Sequence, residues 1–443
     1  MSDNVSAIST ALGAAGVAVI RISGDSPLKI AEKMFKPTGK TAVCDFVPNF
    51  MYTGEIDCGN FTDFGMCVYF KAPKSFTGED VVEFHCHGGT AITKGVLNQT
   101  LKLGARLATK GEFTKRAFIN GKLSLSSCEG LIDMINSESE GAVKAGFYLY
   151  REKLTKTVEE MQTILLDAIS ELDADMDFPE EDISTLSITE TIKKLQIVRD
   201  RINQLLSTFK SGRVVKNGVK VALIGKPNTG KSSILNALLN DEKAIVSNVA
   251  GTTRDIVEGA VDINGVRFNL FDTAGIRESK DEIESIGVNL SKKALNSSDL
   301  ILFITDGEEF NNLDSEIWSI VKDKNYIFVQ NKIDKNPTLD KRADISVSAL
   351  TGERIEDLKQ VIYNNVIDKV DLASDYLCEE RHYLAMQTAV EKINVALVNA
   401  EIKTSDLLAI EVKEAWDVLG EITGKTATEE IINNIFSKFC VGK

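Results

Sequence analysis

The fold of the middle of this chain is decided by the sequence VKVALIGKPNTGKSS, residues 219–233. An apolar run typical of a buried strand leads directly into a loop with the pattern GxxxxGK[ST], which opens a helical segment. The backbone N–H groups of such a loop and of the helix N-terminus bind phosphate oxygens. Lys231 is expected to reach the β and γ phosphates, and the Ser232 hydroxyl to bind Mg²⁺. The predicted contacts of this loop are Asn228, Thr229, Gly230, Lys231, Ser232 and Ser233.

Three further motifs follow the loop in a fixed order. DTAG (272–275) ends an apolar run, where its Asp can hold the Mg²⁺ shell and its Gly N–H can contact a γ-phosphate. NKID (331–334) follows another apolar run, and its Asp can accept hydrogen bonds from N1 and N2 of guanine, a donor pair that adenine lacks. GTTR (251–254) supplies a hydroxyl for Mg²⁺ in the triphosphate state. Together the motifs predict a GTPase domain whose contacts are Asp272, Thr273, Ala274, Gly275, Asn331, Lys332 and Asp334, with Ser348, Ala349 and Leu350 closing the base pocket.

The residue that assists hydrolysis is less obvious. Many GTPases place a glutamine just after the DTAG-type motif to orient the attacking water, and this chain has Ile276 there. One candidate replacement is Glu284, although its spacing alone favours a solvated glutamate that opens a helix. Arg254 and Arg277 are further candidates for charge neutralisation. A monovalent cation beside the phosphates is the other candidate, held by oxygens of Asn228, Ser247, Val249 and Thr252.

Composition limits the class of protein. The chain has 443 residues, 43% hydrophobic and 26% charged with only 7 Pro, which predicts two to four packed domains. Its net charge of −14 argues against nucleic-acid binding over the whole surface. No apolar run is long enough to span a membrane, and the first residues lack the basic region of a secretory signal. Seven scattered cysteines favour free thiols in a reducing cytosol, so a cytoplasmic location is expected.

The pattern of apolar residues divides the chain into four segments. Residues 1–118 are predicted to be α/β, with strands at 17–23, 64–70 and 81–87 and a helix at 93–105. Residues 119–216 are predicted to be helical, with one continuous apolar stripe from Val143 to Leu172 that ends before Pro179. Residues 217–372 alternate strands and helices, which predicts a parallel sheet covered on both faces. The helical residues 373–443 are expected to pack on 119–216, a separate helical hairpin being the alternative.

The motifs together resemble those of the tRNA-modification GTPases called MnmE or TrmE. The resemblance covers essentially the whole chain. It rests on GKPNTGKSS (225–233), DTAGIRESKDEIESIG (272–287) and NKID, on SFTGEDVVEFHCHGG (75–89), and on the terminal FCVGK (439–443). The implied fold is multidomain α/β plus α: an N-terminal folate-binding and dimerisation domain (1–118), a discontinuous helical domain (119–216 and 373–443) and an inserted Ras-like P-loop GTPase domain (217–372).

The resemblance also implies site residues and cofactors. A tetrahydrofolate one-carbon donor, 5,10-methylenetetrahydrofolate with 5-formyltetrahydrofolate as analogue, would bind Arg21, Glu83, Lys122 and Lys443. Catalysis is implied for Glu284, Lys231 and Cys440. Beside GTP, Mg²⁺ would bind Ser232 and Thr253, and K⁺ would bind Asn228, Ser247, Val249 and Thr252. The whole loop implied to contact the nucleotide and cation is Ser247, Asn248, Val249, Ala250, Gly251, Thr252 and Thr253.

The family's partners follow from the same resemblance. Members form homodimers, and K⁺ lets their two GTPase domains meet across the nucleotides, which activates hydrolysis. They join MnmG (GidA), which carries FAD, in a heterotetramer that installs an aminomethyl or carboxymethylaminomethyl group on C5 of the wobble uridine of certain tRNAs. One segment departs from the family: residues 9–16 lack its usual Pro-rich, Gly/Arg-containing sequence, which places the neighbouring folate and dimer contacts in question.

Several residues and functions have two interpretations. Cys440 is either a nucleophile or proton carrier, or a small buried thiol. His85-Cys86-His87 is better explained by a strand end than by a metal site, since only His85 and His87 share a face. His382 is expected to be a surface or helix-packing residue. The alternative functions are a ribosome-assembly or RNA-binding GTPase, and a scaffold whose GTPase only times assembly.

Overall fold

The computed structural model of the chain describes residues 3–177, 184–239, 259–272, 298–307, 312–336, 338–367, 376–400 and 404–443. They form two compact units. The first unit combines residues 1–135, 146–199 and 388–443, and the second combines 136–145 and 200–387. Each unit is therefore assembled from pieces that are distant in sequence.

A seven-stranded sheet forms the N-terminal part of the first unit. Its strands are β1 (Val5–Ile8), β2 (Ala15–Gly24), β3 (Phe35–Pro37), β4 (Met51–Asp57), β5 (Thr62–Phe70), β6 (Asp80–Gly88) and β7 (Arg106–Leu107). They lie in the order β3-β4-β5-β6-β2-β1-β7, all antiparallel to their neighbours except the parallel pair β1 and β7. The predicted strands are confirmed as β2, β5 and β6, whereas the short strands β1, β3 and β7 and the polar strand β4 were missed.

One face of this sheet is covered by two helices. Alternate residues of β2 and β6, among them Ile20, Ile22 and Phe84, are fully buried against α1 (Pro27–Met34) and α2 (Thr90–Lys102). The helix predicted at 93–105 is confirmed as α2, three residues earlier at each end. A third helix, α3 (Glu112–Ile119), follows β7.

The opposite face of the sheet carries polar and exposed apolar side chains. Alternation along β2 and β6 directs Arg21, Glu83 and His85 to this face, with Arg21 directly opposite Glu83. Val17 and Phe64, on the same face, are 54% and 56% exposed. The open face of the sheet therefore combines a partly buried charge pair with apolar surface.

The helical segments do not form the single long helix that the sequence predicts between Val143 and Leu172. That prediction is wrong, because Glu152 takes a left-handed conformation with φ +60° and separates two helices. Val143 and Phe147, before the break, are 43% and 48% exposed. The helices are α4 (Leu125–Asn136), α5 (Glu140–Tyr150), α6 (Lys153–Asp177), α7 (Ser184–Ser207) and α8 (Phe209–Asn217).

The C-terminal helices include one that packs on α6, as the sequence predicts. They are α12 (Glu380–Asn399), α13 (Ser405–Thr423) and α14 (Glu429–Ser437). Helix α13 lies along α6, where Gln162 Nε2 donates to the carbonyl of Trp416 (3.0 Å). The apolar stripe of α6 is core: Leu154, Val158, Met161, Leu165, Ala168 and Leu172 are at most 1% exposed.

The second unit is built on a six-stranded sheet. Its strands are β8 (Val219–Ile224), β9 (Gly259–Ile263), β10 (Val266–Asp272), β11 (Leu300–Thr305), β12 (Tyr326–Gln330) and β13 (Ile345–Ser346), in the order β13-β12-β11-β8-β10-β9. All pairs are parallel except β9 and β10. The predicted parallel sheet of alternating strands and helices is confirmed, and the antiparallel edge strand β9 was missed.

Both faces of this sheet are covered. Val221 and Leu223 of β8 pack on the side of α9 (Lys231–Leu239) and α11 (Ile355–Ile367). Their neighbours Ala222 and Ile224 pack on the side of α10 (Asn312–Val321). Because side chains alternate along a strand, a strand buried on both sides becomes continuously apolar.

Two chain-wide expectations concern cysteines and membranes. All seven cysteines are free thiols, as predicted. Within the described stretches, no helix combines the length and apolar character needed to cross a bilayer.

Candidate functional sites

The phosphate-binding loop connects the carboxyl end of β8 to the first turn of α9. Asn228 and Gly230 take positive φ angles of +65° and +91°, which turn the chain back toward the helix. Thr229 is fully buried and its hydroxyl donates to the carbonyl of Lys226 (3.0 Å). Ser232 and Ser233 are exposed residues in the first turn of α9, at the helix N-terminus where phosphates bind in such loops.

Lys231 lies inside the curve of this loop. Its side chain is largely buried, and Nζ donates to the carbonyls of Gly225 (3.0 Å) and Lys226 (2.9 Å). The ammonium group is therefore held among main-chain atoms of the loop, where a nucleotide's phosphates would meet it.

A charge cluster that sequence reasoning missed supports the loop from the next strand. Nζ of Lys226 lies 3.0 Å from Asp306, which follows β11, and 3.9 Å from Asp314 of α10. The side chains of Lys226 and Asp306 are 12% exposed and that of Asp314 is 2% exposed. Lys226 is therefore paired with carboxylates from the end of β11 and from α10, which fixes the start of the loop.

Asn331 joins the phosphate loop to the predicted base pocket. Its Nδ2 donates to the carbonyl of Thr229 (2.9 Å), and its Oδ1 accepts from the N–H of Ala349 (3.0 Å). The side chain is 2% exposed, and its own N–H donates to the carbonyl of Thr305 (2.7 Å). One buried amide thus holds both loops.

The residues predicted to recognise guanine come together beside Asn331. The Ser348 hydroxyl donates to Oδ1 of the exposed Asp334 (2.6 Å), which fixes the carboxylate through one oxygen. Nζ of Lys332 donates to the carbonyl of Asn228 and so links this motif to the phosphate loop. Leu350 is 79% exposed, consistent with a side chain that covers a ligand instead of the core.

Of the remaining nucleotide residues, only the backbone of Asp272 is described. Asp272 is placed by its backbone at the end of β10, opposite Leu223, but its side chain is not described. Outside the described residues are Ser247, Asn248, Val249, Ala250, Gly251, Thr252, Thr253, Arg254, Thr273, Ala274, Gly275, Ile276, Arg277 and Glu284.

A second polar site lies on the open face of the N-terminal sheet. Nε of Arg21 donates to Oε1 of Glu83 (2.7 Å), and the two side chains are 19% and 14% exposed. The guanidinium carbon lies 5.4 Å and 5.6 Å from the ring centres of Phe76 and Phe113. Burial raises the pKa of Glu83, but the contacts with His85 and Arg21 outweigh burial and leave that pKa below its usual range. Glu83 is therefore a partly buried carboxylate held in its charged form.

The C-terminal tail lies against the same part of the first unit. The N–H of Phe113 donates to the carbonyl of Lys443 (3.2 Å), and the Ser9 hydroxyl donates to the carbonyl of Gly442 (3.1 Å). Cys440 is exposed, which contradicts the interpretation of a small buried thiol. The tail thus reaches Phe113, whose ring stacks on Arg21.

Lys122, His85 and His87 lie in the same N-terminal part of the chain as Arg21 and Glu83. Nζ of the exposed Lys122 donates to the carbonyl of Pro73 (3.1 Å), in the loop that carries Phe76. His87 pairs through Nδ1 with Asp63 (2.7 Å), whereas His85 lies beside Glu83. Among the described residues, no group of three or more potential ligands has the arrangement of a metal site. His382, fully buried in α12, is a packing residue.

Known proteins match the whole chain. The family model of the GTP-binding protein TrmE N-terminus matches residues 4–122, and that of the MnmE helical domain matches residues 125–440. The tRNA modification GTPase MnmE of Aquifex aeolicus is 38% identical over 455 residues, covering 100% of both chains. That of Thermoanaerobacter pseudethanolicus is 39% identical and covers 100% of this chain and 99% of that protein. This chain belongs to the MnmE family of tRNA modification GTPases.

The MnmE family assignment agrees with the predicted architecture of an N-terminal domain, a helical domain and an inserted GTPase domain. Among solved structures, the G domain of the T. maritima FeoB iron transporter aligns with 33% of this chain and 98% of that chain, at 30% identity and a TM-score of 0.26.

Sequence reasoning missed residues that lie outside the motifs but contact motif residues or predicted site residues. Asp306 and Asp314 fix Lys226, and Phe76 and Phe113 enclose Arg21. The one signal in the sequence was Asp306, because an acidic residue directly after an apolar strand lies at the ligand-binding edge of a parallel sheet.

Proposed function

We propose that this chain hydrolyses GTP as part of an enzyme that modifies C5 of the wobble uridine in certain tRNAs. Membership of the MnmE family makes it a GTP hydrolase that acts in tRNA modification. The observation that carries the proposal is the buried amide of Asn331, which joins a phosphate-binding loop to a guanine-specific carboxylate motif. We also propose that the domains of the chain are bounded as the sequence predicts, at residues 1–118, 119–216, 217–372 and 373–443.

The described residues suit GTP with Mg²⁺. The positive-φ loop and the start of α9 present N–H groups and the Lys231 ammonium to the phosphates. We propose that the hydroxyl of Ser232, an exposed residue at the start of α9, binds Mg²⁺ together with Thr253. Bound Mg²⁺ would neutralise charge on the β and γ phosphate oxygens. Asp334, fixed by Ser348, would accept the N1 and N2 hydrogens of guanine.

We propose that hydrolysis is potassium-activated through contact between two GTPase domains. The proposed ligands of K⁺ are oxygens of Asn228, Ser247, Val249 and Thr252. Asn228 fits this role, since it is exposed and its φ of +65° sets it at the tip of the phosphate loop. A cation there would supply positive charge to the developing transition state, as an arginine finger does in other GTPases. Glu284 is the proposed residue that orients the attacking water.

We propose that Arg21, Glu83, Lys122 and Lys443 bind a tetrahydrofolate one-carbon donor. A pterin ring presents an adjacent pair of N–H donors, and a partly buried, charged carboxylate such as Glu83 is a good acceptor for them. Lys122 carries a positive charge suited to the glutamate tail of a folate. The Lys443 carbonyl on the Phe113 N–H brings the tail of the chain to this region. Cys440, with its exposed thiol, is the proposed nucleophile or proton carrier near the one-carbon unit.

We propose a homodimer formed through the N-terminal domain. The open face of its sheet, with Val17 and Phe64 more than half exposed, offers apolar surface of the kind that interfaces bury. The proposed second partner is MnmG (GidA), which would carry FAD and complete a heterotetramer on the tRNA. A cytoplasmic location rests on the tRNA substrate of the relatives and stays a prediction.

The decisive experiment deletes the gene and measures tRNA nucleosides by mass spectrometry. Loss of the aminomethyl or carboxymethylaminomethyl group from the wobble uridine is expected, and an unchanged level of that nucleoside would refute the proposal. Ribosome profiles after depletion test the ribosome-assembly alternative, which would show missing subunits. Glu284→Ala separates the scaffold alternative, because a scaffold would retain modification when hydrolysis is lost.

The cation site has its own test. GTP turnover by the purified protein is expected to be much faster in K⁺ than in Na⁺, because the site selects an ion by size and ligand number. Equal rates in the two salts would remove the argument for a cation beside Asn228.

A further inference from the structure

His85 lies on strand β6 next to Glu83, whose carboxylate is proposed to bind the folate. It is two residues after Glu83 in β6, so both side chains lie on the open face of the sheet. The register places Val19 and Met66 on either side of His85, and Arg21 and Val68 on either side of Glu83. The histidine is thus flanked by apolar residues and directed along its own strand.

The two oxygens of Glu83 have different neighbours. Arg21 Nε donates to Oε1 at 2.7 Å, while Nε2 of His85 lies 3.4 Å from Oε2. The second contact is within ion-pair distance but falls short of hydrogen-bond geometry, so Nε2 of His85 is a buried polar atom without a hydrogen-bond partner. Such atoms cost free energy and are rare in folded proteins, which calls for a functional reason.

We propose that His85 is a positioning residue for folate binding: its buried Nε2 completes a hydrogen bond to Oε2 of Glu83 when a ligand's N–H pair draws the carboxylate into place. The inference rests on the proposed folate function. Arg21 fixes one oxygen of the carboxylate in advance, and His85 fixes the other during binding. Two anchored oxygens present their remaining lone pairs in one plane, which a flat donor pair requires.

The neighbouring histidine provides a matched control. His87 is on the same strand and the same face, but its side chain is 65% exposed and its Nδ1 is paired with Asp63. Replacing His87 changes the same residue type in the same strand without touching Glu83.

The test measures binding of 5-formyltetrahydrofolate to the full chain by titration calorimetry. His85→Leu is expected to weaken binding about tenfold, the typical effect of losing one charge-assisted hydrogen bond. His85→Gln, whose amide donor reaches the same oxygen, should stay within about threefold of the unsubstituted protein, as should His87→Gln. Thermal unfolding of each variant checks that the fold is retained.

Each alternative outcome has a distinct meaning. Binding by His85→Leu as tight as that of the unsubstituted protein would overturn the role of His85, and so would a His85→Gln variant as weak as His85→Leu. Both results would leave the folate proposal standing. Failure of the unsubstituted protein to bind the folate would instead overturn the proposed function, and this inference with it.

Discussion

Substituting Gly442 by alanine should detach the C-terminal tail from the N-terminal sheet. The added Cβ would lie 2.1 Å from the carbonyl oxygen of Ile8, where main chain meets main chain and neither side can rotate away. Moving the tail by about 1 Å breaks its hydrogen bonds with Ser9 and Phe113, each worth about 1 kcal/mol. The φ of +99° adds about 1 kcal/mol of backbone strain. The total of about 3 kcal/mol corresponds to a roughly 150-fold shift toward the detached tail.

Hydrogen exchange at the Phe113 amide measures this shift directly. That N–H lies in the first turn of α3, where helical residues lack an acceptor within the helix, and it donates to the carbonyl of Lys443. Its exchange should accelerate strongly in Gly442→Ala. Gly121→Ala is the control, because Gly121 also has a positive φ (+65°) but nothing within 4 Å of an added Cβ. Unchanged protection of the Phe113 amide in Gly442→Ala would refute the reasoning.

Three further predictions concern the nucleotide site, pH and the core. Asn331→Ala should weaken GDP binding at least tenfold in a fluorescence titration, because two loops lose their shared anchor; unchanged affinity would contradict this. Burial raises the pKa of Glu112, but hydrogen bonds from Arg106 and others outweigh burial and lower it from 4.5 to about 2. The charged Glu112 therefore stabilises the fold at pH values above its pKa in the unfolded chain. This contribution is lost as the pH falls from about 5 toward 2. Glu112→Gln should lower the melting temperature near neutral pH and reduce its further fall on acidification; an identical pH profile would count against the pairing. Leu165→Ala, fully buried in α6, should cost about 2–5 kcal/mol in urea unfolding, whereas Leu166→Ala, at a 51% exposed position, should cost under about 1 kcal/mol. Equal losses would show that α6 is rotated.

The phosphate loop was predictable because its signal is local. The spacing of Gly225, Gly230 and Lys231 after an apolar strand specifies the turn and the helix start within a few residues. The pair of Lys226 and Asp306 was not predictable in the same way, because their contact depends on β8 and β11 being neighbours in the sheet. Sequence shows a lysine inside a phosphate motif; only the fold shows that it is directed at a carboxylate.

The break between α5 and α6 could not be predicted from the sequence, although it is a local feature. Apolar residues recur at helical spacing straight through Tyr150 and Leu154, and no proline or glycine interrupts residues 150–154. A single residue, Glu152, ends the helix by taking positive φ, and periodicity cannot detect a change at one position. The Arg21–Glu83 pair also required the structure, because the register of β2 against β6 brings together residues 62 apart.

The discontinuity of the first unit has a consequence for folding kinetics. Helix α13 packs on α6 across roughly 250 intervening residues, so this unit has a high contact order, whereas most of the second unit is one uninterrupted stretch, residues 200–387. Closing so long a loop is entropically expensive until the inserted stretch has become compact and shortened the distance between its ends. Refolding is therefore expected to show a fast phase for the inserted unit and a slower one for the unit that encloses it in sequence.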